Sequence, residues 1–187
     1  MQNELISSSD ALQRLKDGNL IYLKSETSSG DISPQRRLYT SENGQSPYAV
    51  IVSCSDSRVI PESIFSAGIG ELFVVRVAGN VIDDYQLGSI EYAIEHLGCK
   101  LVVVLGHTQC GAVNATIRKN NKGFVSFLTD EIQRAIGEEI DPIKANILNI
   151  THGVKKIKGA FNSVDGVEVV GALYYTDSGI VDFDVIK

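Results

Sequence analysis

Three short apolar runs constrain the architecture most: YAVIVS (48–53), LFVVRV (72–77) and LVVVLG (101–106). Each is rich in β-branched residues and continuous rather than alternating, as expected for strands covered on both faces. Helical patterns lie between them. Pro61 opens one around PESIFSA, and QLGSIEYAIEHLG carries a longer one that Gly98 can end as a left-handed cap. Strand and helix in alternation predict a parallel sheet with right-handed crossovers.

The flanks extend this pattern. SSSDALQRLKDGNLIYLK has Leu12, Leu15, Tyr22 and Leu23 at helical spacing, with Ser9 or Asp10 as N-cap. The polar SETSSGD is a loop by composition, after which Pro34 opens a short helix capped by Ser33. Residues 111–160 read as mostly helix, with amphipathic segments FVSFLTDEIQRAIG and DPIKANILNITHGVKKIKG closed by Gly137 and Gly159. The end, VEVVGALYYTDSGIVDFDVIK, reads as two strands joined by a turn at Asp177, Ser178 and Gly179. The expected fold is α/β: a predominantly parallel central sheet with flanking helices and a C-terminal antiparallel edge hairpin. A chain of 187 residues without internal repeats predicts one domain, a helical arm over 1–45 leading into an α/β core over 46–187.

Charge narrows the function. A net charge of −6 argues against nucleic acid, which demands a basic face. The densest basic patch, Lys155, Lys156 and Lys158, reads as a solvated helix face. The opening MQNELISSSD lacks the basic start and apolar run of a secretory signal, and no segment approaches the ~20 apolar residues of a membrane span. A cytoplasmic location is therefore expected. In a reducing compartment, three cysteines point to metal ligation or a reactive thiol rather than a disulfide framework.

The first strand ends in VIVSCSDSRVIPE, so Cys54, Asp56 and Arg58 alternate just past an apolar run; the third runs into GHTQCGAV, carrying His107 and Cys110. Sites in open α/β sheets form beyond the carboxyl ends of strands. Two such strands side by side would bring together Cys54, His107 and Cys110, a zinc ligand set of soft sulfurs and one imidazole. Cys99 precedes the third strand, which at ~3.3 Å per residue keeps it well over ~15 Å from His107. His96 belongs to that same end, and His152 stays open as a fourth ligand. Three ligands leave a place for water, whose pKa zinc lowers to about 7. Asp56, kept ionised by Arg58, would accept the proton of the resulting hydroxide and aim its lone pair at substrate. Taken singly, Cys54 also fits a buried small hydrophobe, and Arg58 an ion-pair partner that fixes a loop. Neither a C-x5-R phosphatase spacing nor a mononucleotide-binding glycine motif is present.

These residues resemble those of a β-class carbonic anhydrase. CSDSR at 54–58 and GHTQCGAV at 106–113 match the family's C-x-D-x-R and H-x-x-C signatures. The likeness also takes in ALQRLKDGN, GELFVVRVAGN, GSIEYAIEHLG and the terminal hairpin. It implies one zinc per chain on Cys54, His107 and Cys110, a catalytic Asp56–Arg58 dyad, and reversible hydration of carbon dioxide to bicarbonate and a proton. It implies that Gln45 donates to bound bicarbonate, and that Phe73 and Tyr92 line the carbon dioxide pocket, Tyr92 across a dimer interface. It implies a homodimer or higher homo-oligomer that exchanges N-terminal helices and builds the site at the interface. It also implies a closed state, favoured at low pH, in which Asp56 replaces water on zinc, so activity should rise with pH. Two positions depart from the pattern: Val77 stands where many members have asparagine (R-N-x-x-N, here RVAGN), and Tyr175 replaces a common aspartate, which reads as a surface variation. Relatives with the same ligands hydrolyse carbonyl sulfide or carbon disulfide, and a zinc-binding protein permanently closed by Asp56 is the non-catalytic alternative. His96 and His152 titrate in the range of a proton shuttle, against the plainer reading of helix-surface or capping histidines.

Overall fold

The structure, a computed structural model, describes residues 6–27 and 30–186. The first residues of the opening stretch, Ser28 and Ser29 of the polar loop, and Lys187 lie outside them. Among the described residues the sheet has five strands in the order β2-β1-β3-β4-β5. They are β1 (Ala49–Ser53), β2 (Leu72–Arg76), β3 (Leu101–His107), β4 (Glu168–Tyr174) and β5 (Val181–Asp182). The first four run parallel, and β5 returns antiparallel on β4. The parallel sheet and the edge hairpin are as the sequence predicts. Among the described residues, no helix is long and apolar enough to cross a membrane.

Both sheet faces are dry, which explains the unbroken apolar runs. On one face Ile51, Leu101, Val103 and Leu105 pack with Ala11 and Leu15 of α1 (Ser8–Tyr22) and Ile64 of α3 (Pro61–Ile64). On the other, Val50, Val52, Val102 and Val104 meet Ile90 and Ile94 of α4 (Asp84–Glu95) and Ile150, Val154 and Ile157 of α7 (Pro142–Ala160). Each such side chain contributes about 1.5–3 kcal/mol on burial. An apolar pattern on both faces does not set register by itself, because a one-residue slip still buries apolar groups. Size does. A Cβ at Gly106 would lie 2.6 Å from both Cδ1 and Cγ1 of Ile150, so glycine lets β3 pass close under α7 at the residue before His107.

Local signals explain most helix ends. Asp83 caps α4 through a capping box with Gln86, and Gly98 follows with φ 73°. Ser33 caps α2 (Pro34–Asn43), and Gly137 with φ 56° closes α6 (Val125–Ile136). Three expectations shift. The N-cap of α1 is Ser7 rather than Ser9 or Asp10, its Oγ accepting from the Asp10 N–H at 3.1 Å. Gly159 lies inside α7, which ends at Ala160. Tyr175 is no surface variation: it is partly buried against the α4–α7 side of the core. A separate small cluster of Val113, Ile132, Ile136 and Ala145, from α5 (Gly111–Ile117), α6 and α7, backs the carboxyl ends of β1 and β3.

Candidate metal centre

Cys54 follows the last residue of β1, His107 is the last of the adjacent β3, and Cys110 caps the start of α5. Their ligand atoms lie within 4.8 Å of one another, all three residues buried, and together they could hold a metal ion. The imidazole is prepared for that role. His107 Nδ1 is 2.9 Å from the Thr108 carbonyl, which only accepts, so Nδ1 carries the proton and Nε2 presents its lone pair. Nε2 is buried and has no hydrogen-bond partner among the described residues. An orphaned nitrogen facing two sulfurs is costly as a hydrogen-bond acceptor left alone and apt as a ligand. The donor set fits zinc.

The sulfurs are matched to it. Cys54 Sγ accepts from the backbone N–H of Gly79 at 3.2 Å and of Asp56 at 3.4 Å. Hydrogen bonding from Cys110, and then from these amides, pulls the Cys54 thiol well below its usual range against the opposing effect of burial. Cys110 is pushed up, because it is the partner that keeps its proton for Cys54 and because it is buried. Cys99 stands apart at the amino end of β3, its Sγ 3.3 Å from the Pro47 carbonyl, and burial pushes its thiol up to about 11. All three cysteines are free.

Beside the triad lies an ion pair. Arg58 Nε and Nη2 donate to Asp56 Oδ1 at 2.9 Å and Oδ2 at 2.7 Å, and the Arg58 backbone N–H donates to Oδ1 at 3.0 Å. This bidentate grip is the first cause that holds the Asp56 carboxyl far below the usual carboxylate range. Asp56 Oδ2 stands 4.0 Å from His107 Nε2, so the carboxylate faces the same small space as the three ligand atoms. On its far side Arg58 reaches Gln109, Nη2 lying 3.3 Å from its carbonyl and Nη1 3.5 Å from Oε1.

Residues 49–181 match the sequence profile of the family described as carbonic anhydrase. The chain belongs to the carbonic anhydrase family. It is 44% identical over 126 residues to a carbonic anhydrase of Mycolicibacterium smegmatis, an alignment covering 66% of this chain and 61% of that one. The aligned region thus spans about six-tenths of the length of the curated relatives it matches first. Among solved structures, the β-carbonic anhydrase CafA of Aspergillus fumigatus superimposes with a TM-score of 0.73 at 26% identity, covering 96% of this chain and 91% of that one. The Coccomyxa β-carbonic anhydrase, solved with acetazolamide, gives a TM-score of 0.68 at 25% identity over 82% and 86% of the two chains.

Not every candidate of the carbonic anhydrase pattern meets the triad within one chain. Gln45 is exposed in the loop before β1, at the amino end of the sheet. Phe73 pairs with Val50 early in β2, three residues or about 10 Å from the level of Arg76 and Ser53. It packs against the half-exposed Tyr92 of α4, ring centroids 6.2 Å apart. His96 ends α4 with its ring 5.2 Å from Tyr92, and His152 sits 3.3 Å from Glu131, neither within the triad. Lys156 is not simply solvated: its Nζ donates to Glu131 Oε1 at 2.7 Å and to the Ile82 carbonyl at 2.5 Å.

Two neighbours of the site escaped the sequence reading. Gln109 has φ 58°, a left-handed conformation that a glutamine does not advertise. Arg76 bonds the Cys54 and Asp56 carbonyls, and here a signal existed: it is the one charge in an otherwise apolar strand.

Proposed function

We propose that the chain catalyses the reversible hydration of carbon dioxide to bicarbonate and a proton, with one zinc ion held by Cys54, His107 and Cys110. The observation that carries this reading is the ionised Asp56 carboxylate, gripped by Arg58, 4.0 Å from the unpartnered Nε2 of His107. Family membership supports the same chemistry. When bound, zinc supplies Lewis acidity and draws a nucleophile from water near neutral pH.

The protein's own groups do the rest. Cys54 enters as a thiolate, and His107 offers a neutral nitrogen because its other N–H is committed to Thr108. Cys54, His107 and Cys110 would hold the ion with three donors, and Asp56 borders the space they face. An ionised carboxylate only accepts hydrogen bonds, so Asp56 would accept the hydrogen bond of the attacking group, which keeps its own proton, and turn that group's lone pair toward carbon. Arg58 keeps that carboxylate charged and holds it off the metal. Orienting a reacting atom in this way is the positioning work that enzymes do before any bond changes.

A linear, apolar substrate needs a dry approach, for which Phe73, Tyr92 and the amide of Gln45 are the candidates. We assign them to the site of a second copy. Supporting a homodimer is α2, which buries no residue and leaves Leu38 and Tyr39 exposed with Ile32 just before it. Such a face needs a cover.

The test is stopped-flow carbon dioxide hydration on zinc-quantified protein at neutral and alkaline pH. Turnover that rises with pH and falls at least about 100-fold in Asp56→Ala, at full zinc content, is the expected result. One zinc per chain with no turnover at either pH would overturn the reading.

A further inference from the structure

Arg76 is the last residue of β2, and the parallel register sets it beside Ser53, the last residue of β1. Its Nε donates to the Cys54 carbonyl at 3.1 Å and its Nη2 to the Asp56 carbonyl at 2.8 Å. Those two carbonyls flank Ser55. One planar guanidinium therefore spans the segment that joins the first ligand to the carboxylate, a geometry that suits a rigid fork of donors and not the point charge of an ammonium. Among the described residues Arg76 has no carboxylate partner, so its charge serves this loop.

The loop needs such a brace. The Asp56 carboxylate hydrogen-bonds only to the backbone and side chain of Arg58, two residues on, and Ser55 and Ser57 on either side are exposed. Nothing in those local bonds ties the segment to the sheet. Arg58 reaches Gln109 beyond β3, and the tie to the strand beside β1 comes from Arg76.

We propose that Arg76 is a positioning residue: by bridging the Cys54 and Asp56 carbonyls it holds Asp56 toward Arg58 and away from the metal ligands. This rests on the functional reading above. A swing of the Asp56 peptide toward the triad would stretch the 2.8 Å bond to Arg76, which opposes that movement. Arg76 touches no reacting atom and acts through Asp56.

The experiment compares the full chain with Arg76→Met and Arg76→Lys, each in metal-free and zinc-loaded form. In the metal-free proteins, nitrogen-15 NMR follows solvent exchange of the Arg58 Nε–H, which reports the Asp56–Arg58 pair without any turnover. Exchange should be about tenfold faster in Arg76→Met, the factor set by one charge-assisted hydrogen bond, and intermediate in Arg76→Lys. In the zinc-loaded proteins kcat should fall by about tenfold with KM little changed, at one zinc per chain. Should the methionine variant not fold, the lysine variant, with the same stem and charge, decides the matter by the same exchange measurement. Arg58 Nε–H exchange at the parental rate in the folded variants would overturn the proposal. If the parent protein does not hydrate carbon dioxide, the functional reading fails while the exchange measurement still judges Arg76.

Discussion

Replacing Gly79 by alanine perturbs the backbone that supports Cys54. Gly79 has φ 69° and its N–H donates to Cys54 Sγ at 3.2 Å, so the glycine is both a conformational necessity and a donor to the candidate thiolate. A Cβ there would stand 2.7 Å from Ile132 Cδ1 and 3.0 Å from Ala112 Cβ. Two costs follow. An alanine in the left-handed region costs about 1–2 kcal/mol, and overpacking a tight contact adds about 1–3 kcal/mol. Gly79→Ala should therefore destabilise the protein by about 2–5 kcal/mol. The two costs separate in a double variant. Ile132 is fully buried, and Ile132→Ala alone should cost about 2–5 kcal/mol through the cavity it leaves. That cavity is where the new Cβ points, so the double variant should be more stable than additivity predicts by about 1–2 kcal/mol. The remainder is the conformational cost, which no neighbour can relieve. Urea unfolding of the metal-free, reduced proteins gives these numbers without zinc linkage, provided the m values agree. A Gly79→Ala variant within about 0.5 kcal/mol of the parent, or strict additivity in the cycle, would refute the reasoning.

Two further perturbations read other parts of the structure. Thr108→Val removes the Oγ1 that accepts from the Thr176 N–H at 3.0 Å and meets the Thr176 hydroxyl at 3.1 Å. With that brace gone, the Thr108 carbonyl that orients His107 loosens; chelator competition should report zinc affinity lower by about tenfold, and unchanged affinity would contradict the link. Glu131→Gln tests a pH effect. Burial raises the Glu131 carboxyl, but Lys156, His152 and Arg134 together outweigh it and leave the group below its ordinary range. Its stabilising share is thus present above the unfolded value near 4.5 and lost as pH falls through the folded one. The parent's advantage over Glu131→Gln, about 1 kcal/mol after solvent screening, should be intact down to about pH 4.5 and shrink below it in urea titrations. An advantage that grew on acidification would be the wrong sign.

How much could be read in advance depended on whether the controlling contact was local. The parallel sheet was legible because burial on two faces leaves no polar alternation to hide it, and Cys54 and His107 could be paired because adjacent parallel strands share an end. The N-cap of α1 was less legible: Ser7, Ser8, Ser9 and Asp10 offer consecutive candidates, and only the geometry selects the hydroxyl three residues before a free N–H. Gly159 ends no helix because it does not take the left-handed conformation of Gly137, and α7 runs on until the Phe161 N–H bonds the Ile157 carbonyl. Tyr175 looked superficial because its partners are distant in sequence. The brace from Arg76 depends on β2 lying beside β1, a fact of sheet order that no window of sequence contains.

Val77, where the resemblance read in the sequence expects asparagine, illustrates the same distinction. What Val77 contributes to the loop architecture is main-chain: its N–H donates to the Ser53 carbonyl at 3.1 Å, and its own carbonyl accepts from the Asn80 N–H at 2.8 Å. Any residue makes those bonds, so the turn that delivers Gly79 to Cys54 survives the exchange. The side chain is partly buried against the apolar cluster that contains Cys54 and Cys110. Valine completes that wall without introducing an amide that would need two or more partners of its own. The buried amide in this turn is Asn80, whose Nδ2 and Oδ1 lack partners among the described residues. Polar demand beside the ligands is therefore concentrated on Asn80, while Val77 keeps the sulfurs in the low-dielectric surroundings where a backbone N–H to thiolate bond counts most.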